Sequence, residues 1–67
     1  MNKNRMLSFA EAPAILSVAD TSALLGLSRA ATYSLFHSYG FPVLKIGTRM
    51  MVPKDKLLSW IEKHTQS

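Results

Sequence analysis

One stretch of the chain, GLSRAATYSLF at positions 26–36, constrains the fold most, because it can end one helix and begin another. Gly26 can adopt the left-handed conformation that closes a helix, and Ser28 is a favoured N-cap. Upstream, Ser17 is a second N-cap, and Asp20 stands three residues later in a weak form of the capping box. The sequence therefore predicts two short helices joined by a tight turn.

Both helices carry residues at helical spacing on one face, as packing against a core requires. We expect the first to place Val18, Ser22 and Leu25, together with Leu24, on its inward stripe. We expect the second to end at Gly40, and Leu27 to be buried in the turn. The inward face of the second helix is formed by Thr32, Leu35, Phe36 and Tyr39. Two such helices form a helix-turn-helix, although the same hairpin also occurs in small helical proteins that bind no DNA.

Two short alternating runs, residues 43–46 and 49–52, flank Gly47-Thr48, which suits a two-residue hairpin turn with glycine first. Leu44 and Ile46 are expected to face the core. The outward residues at or near the tip are Lys45, Thr48 and Arg49. A basic hairpin after a helix-turn-helix is the layout of a winged helix, and the alternative is that these charges only keep the hairpin soluble.

A third helix is predicted from Pro53, which suits the first helical position. The apolar spacing of Leu57, Trp60 and Ile61 places Trp60 in the core rather than against a base. The predicted fold is mainly α with a small β-hairpin: a winged helix-turn-helix with a two-stranded wing and a C-terminal helix. We divide the chain into a poorly defined N-terminal arm, residues 1–14, and a winged helix-turn-helix domain, residues 15–67. Phe9, Ile15 and Leu16 are expected to pack back on the core.

Composition narrows the function classes. A chain of 67 residues builds one small core, worth roughly 3–5 kcal/mol, with little room for a catalytic pocket. Eight basic residues against four acidic ones give a net charge of +4, which favours nucleic acid as a partner. The basic residues include Lys3 and Arg5, which could form a loose basic arm.

Several kinds of site are not expected. The chain has no cysteine, which excludes disulfides and thiolate zinc sites, and His37 and His64 are too far apart in sequence to suggest a metal site. No nucleophile triad, carboxylate pair or phosphate loop can be assembled, so we expect neither an enzyme nor a cofactor. The apolar runs are too short for a membrane span and match no signal peptide, so we expect a cytoplasmic protein.

A set of short motifs runs in a fixed order from residue 16 to residue 61. They are LSV at 16–18, LLGLSR at 24–29, YSL at 33–35, FP at 41–42, KIGTR at 45–49, VPK at 52–54, and Leu57 with Trp60-Ile61. In this order and spacing they resemble the excisionase family of small DNA-binding domains, related to the MerR-type winged helix. The resemblance implies a second helix in the major groove and a wing along the backbone or in the adjacent minor groove.

Carried over by position, the resemblance assigns roles to individual residues. Ser28 caps the helix and meets a phosphate, Arg29 contacts a base or phosphate, and the Tyr33 hydroxyl donates to a phosphate. The candidate residues of the recognition helix are Ser28, Arg29, Ala30, Tyr33, Ser34 and His37. Those of the wing are Lys45, Thr48 and Arg49, and Lys54 is a further phosphate candidate.

The chain departs from the family where polar or basic residues are frequent, at Ala30, Ala31 and Ser34, and at Met51, where an arginine is common in the wing. Alanine cannot donate a hydrogen bond but can contact a thymine methyl. We therefore expect few direct base contacts, with phosphate contacts and DNA shape supplying much of the binding.

The resemblance leaves more than one function open. The first is an excisionase of a phage or mobile element in a bacterium, which bends double-stranded DNA and directs an integrase or other recombinase toward excision. The second is a small AlpA-type transcriptional regulator, and the third is a protein-docking module that does not touch DNA. We expect no membrane partner, and a monomer in solution that assembles on DNA.

Overall fold

The computed structural model describes residues 8–65 and contains three helices and three strands in that range. They are β1 (Ile15–Ser17), α1 (Val18–Leu25), α2 (Arg29–Phe36), β2 (Leu44–Ile46), β3 (Arg49–Pro53) and α3 (Lys54–His64). The predicted winged helix-turn-helix is confirmed, but its sheet has three strands instead of two. Lys3 and Arg5 of the predicted arm lie outside the described residues. None of the helices in residues 8–65 has the length and apolarity needed to cross a bilayer.

The start of α1 is closed by a complete capping box. The Ser17 hydroxyl accepts a hydrogen bond from the Asp20 amide at 3.0 Å, and the Asp20 carboxylate accepts one from the Ser17 amide at 3.2 Å. Gly26 ends the helix in the left-handed region, with φ of 69°. The buried residues of α1 are Val18 and Thr21. Of the rest of the expected stripe, Leu24 packs against the core, and Ser22 and Leu25 are half-buried.

The second helix begins as predicted and ends earlier. The Ser28 hydroxyl accepts from the Ala31 amide, but α2 stops at Phe36, not at Gly40. Five residues apart on a continuous helix, Phe36 and Phe41 would point about 140° apart. Because the chain leaves the helix, both reach the core, with ring centroids 5.0 Å apart.

Two side chains near α2 are exposed against expectation. Tyr39 lies beyond the end of the helix and is fully exposed, so it forms no part of the inward face. Leu27 is 40% exposed rather than buried, at a turn that its amide closes by donating to the Ser22 carbonyl. The buried polar positions of the two helices are instead Thr21 and Thr32.

The additional strand β1 joins the wing to the helices. Leu16 pairs with Val52 of β3, and both side chains are fully buried. Ser17 is the last residue of β1 and also the N-cap of α1. The strand was not expected because its three residues are too few to show an alternating pattern.

The predicted orientation of β2 was wrong. The two-residue turn pairs Ile46 with Arg49, so Lys45 pairs with Met50 and Leu44 with Met51. Directly paired residues of antiparallel strands project on the same face. Met50 packs against the core, so Leu44 and Ile46 face away from it and are exposed. A one-residue difference in register exchanges the two faces of a strand, which explains the error.

The core lies between the sheet and the helices. Its buried apolar residues are Ala12, Leu16, Val18, Phe36, Phe41, Val52 and Leu57. Trp60 packs against this cluster with its ring centroid 5.2 Å from that of Phe41, as the spacing of the third helix predicted. Of the three residues expected to pack back on the core, Leu16 is buried and Phe9 packs against the cluster, whereas Ile15 is exposed. Ala12 of the arm is also buried in the core.

Candidate functional site

A cleft of about 320 Å³ opens between the two helices and the wing. Four of its lining residues are predicted site residues from two separate elements, with Arg29 and Tyr33 on α2, and Thr48 and Arg49 on the wing. The other four are Ser17, Val18, Ala19 and Met50. The fold thus brings the recognition-helix and wing candidates to one concave surface.

The outer face of α2 continues from this cleft. All six predicted residues of this helix are exposed: Ser28, Arg29, Ala30, Tyr33, Ser34 and His37. At about 100° per residue, Ala30 and His37 lie next to Arg29 and Tyr33 around the axis, and Ser34 lies beyond them. His37 follows the last residue of α2 as its C-cap. The face therefore offers one guanidinium, one phenol and an imidazole among small side chains.

The wing presents its basic residues on both sides of the hairpin turn. Gly47 adopts a positive φ of 62° at the first turn position, next to Thr48. Arg49 follows the turn and lines the cleft. Lys45 is exposed and does not line the cleft, but it projects on the same face as its partner Met50, which does.

The cleft is electropositive. Among the described residues, those that line it include two arginines and no aspartate or glutamate. The first turn of α1 also lines it at Val18 and Ala19. The arrangement can bind phosphate oxygens through guanidinium and hydroxyl donors, which suits a nucleic-acid backbone.

Lys54, predicted as a phosphate candidate, has a structural role. Its ammonium donates to the carbonyl of Phe9 at 2.9 Å and to that of Ala12 at 3.0 Å. The Lys54 amide also donates to the Ala14 carbonyl at 2.7 Å. These bonds hold residues 9–14 against the start of α3, and we leave Lys54 out of the candidate interface.

Sequence reasoning missed the contribution of the first helix to the cleft. Ser17, Val18 and Ala19 reach it because β1 pairs with β3 and brings the start of α1 beside the wing. The signal in the sequence was the pair Ile15-Leu16 directly before a helix cap. Within residues 8–65, no group of three or more histidine, aspartate or glutamate side chains is placed to hold a metal ion.

Comparison with known families gives one finding. The family model described as a helix-turn-helix domain matches residues 15–65, which is most of the chain. No curated protein and no solved structure gave a match. The matched range begins at β1 and ends just after α3, so it covers every element that forms the cleft.

Proposed function

We propose that this chain, which belongs to the family of helix-turn-helix domains, binds double-stranded DNA. The duplex lies across the cleft between α2 and the wing. The observation that carries the proposal is the convergence of Arg29, Tyr33, Thr48 and Arg49 on one electropositive surface. Phosphate-binding side chains from two elements fix the register and orientation of a protein on a duplex. The net charge of +4 has the sign that this partner requires.

In the proposed complex α2 lies in the major groove. Arg29, at its first position, reaches a base edge or a phosphate, and the Tyr33 hydroxyl donates to a phosphate. Ala30 contacts a thymine methyl, while Ser34 and His37 supply the remaining polar groups. So small a set of donors predicts modest sequence discrimination, with DNA shape contributing the rest.

The wing follows the DNA backbone or enters the adjacent minor groove. Arg49 and Lys45 supply its positive charge, and Thr48 at the turn adds a hydroxyl. An arginine beside a narrow minor groove gains from the enhanced negative potential there. This part of the interface senses groove width rather than base identity.

The test of DNA binding is fluorescence anisotropy with duplex DNA at several salt concentrations. We expect wild-type affinity to fall steeply with salt, because bound lysine and arginine side chains release counterions from the DNA. Replacing Arg49→Ala should reduce the slope of log affinity against log salt by about one unit. Lys63→Ala is the matched control, since it removes the same charge from α3, outside the cleft.

The outcomes separate the candidate functions. An unchanged slope in Arg49→Ala, with a reduced slope in Lys63→Ala, would move the interface from the wing to α3. Absence of binding to any duplex at low salt would contradict the proposal and favour a protein-docking module. In that case Arg29→Ala and Arg49→Ala would leave the biological function intact.

Within DNA binding we further propose an architectural role like that of an excisionase, in which several copies bend DNA beside a recombination site and assist an integrase. The support is the ordered set of motifs in residues 16–61, and a small AlpA-type regulator shares that set. A neighbouring integrase gene would favour the first role, and a neighbouring operon under its control the second. Fold alone does not choose between them.

A further inference from the structure

A second cleft, of about 260 Å³, lies between α3 and the loop after α2. The residues that matter for its chemistry are Pro42, Lys56, Ser59, Trp60, Lys63 and His64. It shares no lining residue with the cleft between α2 and the wing. We propose that this second cleft binds an acidic peptide segment of a partner protein, a function beyond DNA binding.

The charge of the second cleft is positive because of how α3 distributes its side chains. Lys56 and Lys63 are two turns apart on one face, and both are exposed. At about 100° per residue, Asp55 and Glu62 lie about 100° around the axis from these lysines. Among the described residues, no aspartate or glutamate lines the cleft. Two ammonium groups therefore face this cleft without an acidic residue beside them in its wall.

The wall between the lysines is aromatic and fixed in position. The rings of Trp60 and His64 stack with centroids 4.3 Å apart and an angle of 24° between their planes. His64 Nδ1 lies 2.8 Å from the Trp60 carbonyl oxygen, which can only accept, so Nδ1 carries the proton and donates. Trp60 also packs edge to face with Phe41, which belongs to the core. An aromatic wall held in this way costs little entropy on binding.

This combination favours a peptide over nucleic acid. His64 covers one face of the Trp60 ring, which reduces its capacity to stack on a base. The two arginines suited to a nucleic-acid backbone line the other cleft. An apolar centre with charged residues at its edge is instead the usual anatomy of a protein interface. A peptide with an apolar side chain over Trp60 and Pro42, and carboxylates toward Lys56 and Lys63, matches each feature.

The test uses tryptophan fluorescence, since Trp60 is the only tryptophan in the chain. The probe is a short peptide of alternating glutamate and leucine, and the same peptide with glutamine for glutamate is its control. We expect the acidic peptide to change the Trp60 emission and to bind more tightly than the glutamine peptide. Lys56→Ala and Lys63→Ala should each weaken binding by about fivefold, and Lys56→Glu with Lys63→Glu should abolish it.

Arg49→Ala is the control variant, because Arg49 lies in the other cleft and should leave peptide affinity unchanged. Circular dichroism of each variant separates loss of the cleft from loss of folding. No change in Trp60 emission, or equal binding of the glutamine peptide, would overturn the proposal. The proposal would also be overturned if duplex DNA quenched the Trp60 emission and if Lys56→Ala and Lys63→Ala weakened that quenching more than Arg49→Ala does. Because peptide and DNA binding are measured separately, failure of one does not imply failure of the other.

Discussion

Single side chains in this domain divide into those that hold the fold and those that face a partner, and residue type alone does not separate them. Lys54 and Lys56 stand two positions apart with the same charge. Lys54 is bonded to two backbone carbonyls, whereas Lys56 is exposed at the edge of the second cleft. The sequence could not distinguish them, because the carbonyl partners of Lys54 are more than 40 residues away along the chain.

The role of Lys54 can be tested by Lys54→Met, which keeps a long unbranched side chain and removes the donor. The carbonyls of Phe9 and Ala12 then lose a charged partner, and we expect a loss of about 1–3 kcal/mol in the free energy of unfolding. Urea denaturation followed by circular dichroism measures it. The control Lys56→Met should stay within about 0.5 kcal/mol of wild type. Unchanged stability combined with a shallower salt dependence of DNA binding would return Lys54 to the DNA interface.

At the scale of elements, local signals in the sequence located most of the structure. The first helix and the start of the second were correctly predicted from the caps at Ser17 and Ser28 and from Gly26. The turn at Gly47-Thr48 gave the hairpin. Local signals could not predict β1 or the orientation of β2, because both depend on pairing with β3. They could not predict the end of α2, because packing of Phe36 against Phe41 determines it.

The hairpin turn depends on the conformation of Gly47. A Cβ added there would meet no atom within 4 Å, so the cost of Gly47→Ala comes from the positive φ of 62° alone. We expect a loss of about 1–2 kcal/mol in stability, measured by urea denaturation, and weaker DNA binding because Thr48 and Arg49 shift. Gly47→Asn is the matched control, since asparagine tolerates this region better. An alanine variant as stable as wild type would show that the turn has relaxed to another type.

The whole molecule is small compared with the DNA it is proposed to organise. The described residues, 8–65, extend over at most 38 Å, which corresponds to about 11 base pairs of duplex at roughly 3.4 Å each. Bending a longer site smoothly costs on the order of 1–6 kcal/mol. A single copy with few base contacts has little binding energy to offset that cost, so an architectural role requires several copies along the DNA.

Bending can be measured by energy transfer between dyes at the two ends of a duplex. If the excisionase-like role is correct, transfer should rise as protein is added and continue to rise beyond one copy per duplex. Arg29→Ala with Arg49→Ala should shift this increase to higher protein concentration. Binding by anisotropy without any change in transfer would contradict the architectural role and favour a regulator that binds unbent DNA.

The direct passage from β1 into α1 at Ser17 has a further consequence for the molecule. No loop separates the strand from the helix, and β1 is paired with the strand that carries Arg49. The wing is therefore joined to the helix pair through β1 without an intervening loop. In the proposed DNA complex this junction sets the spacing between the two points of contact, so a duplex whose groove spacing does not match must itself deform or be rejected.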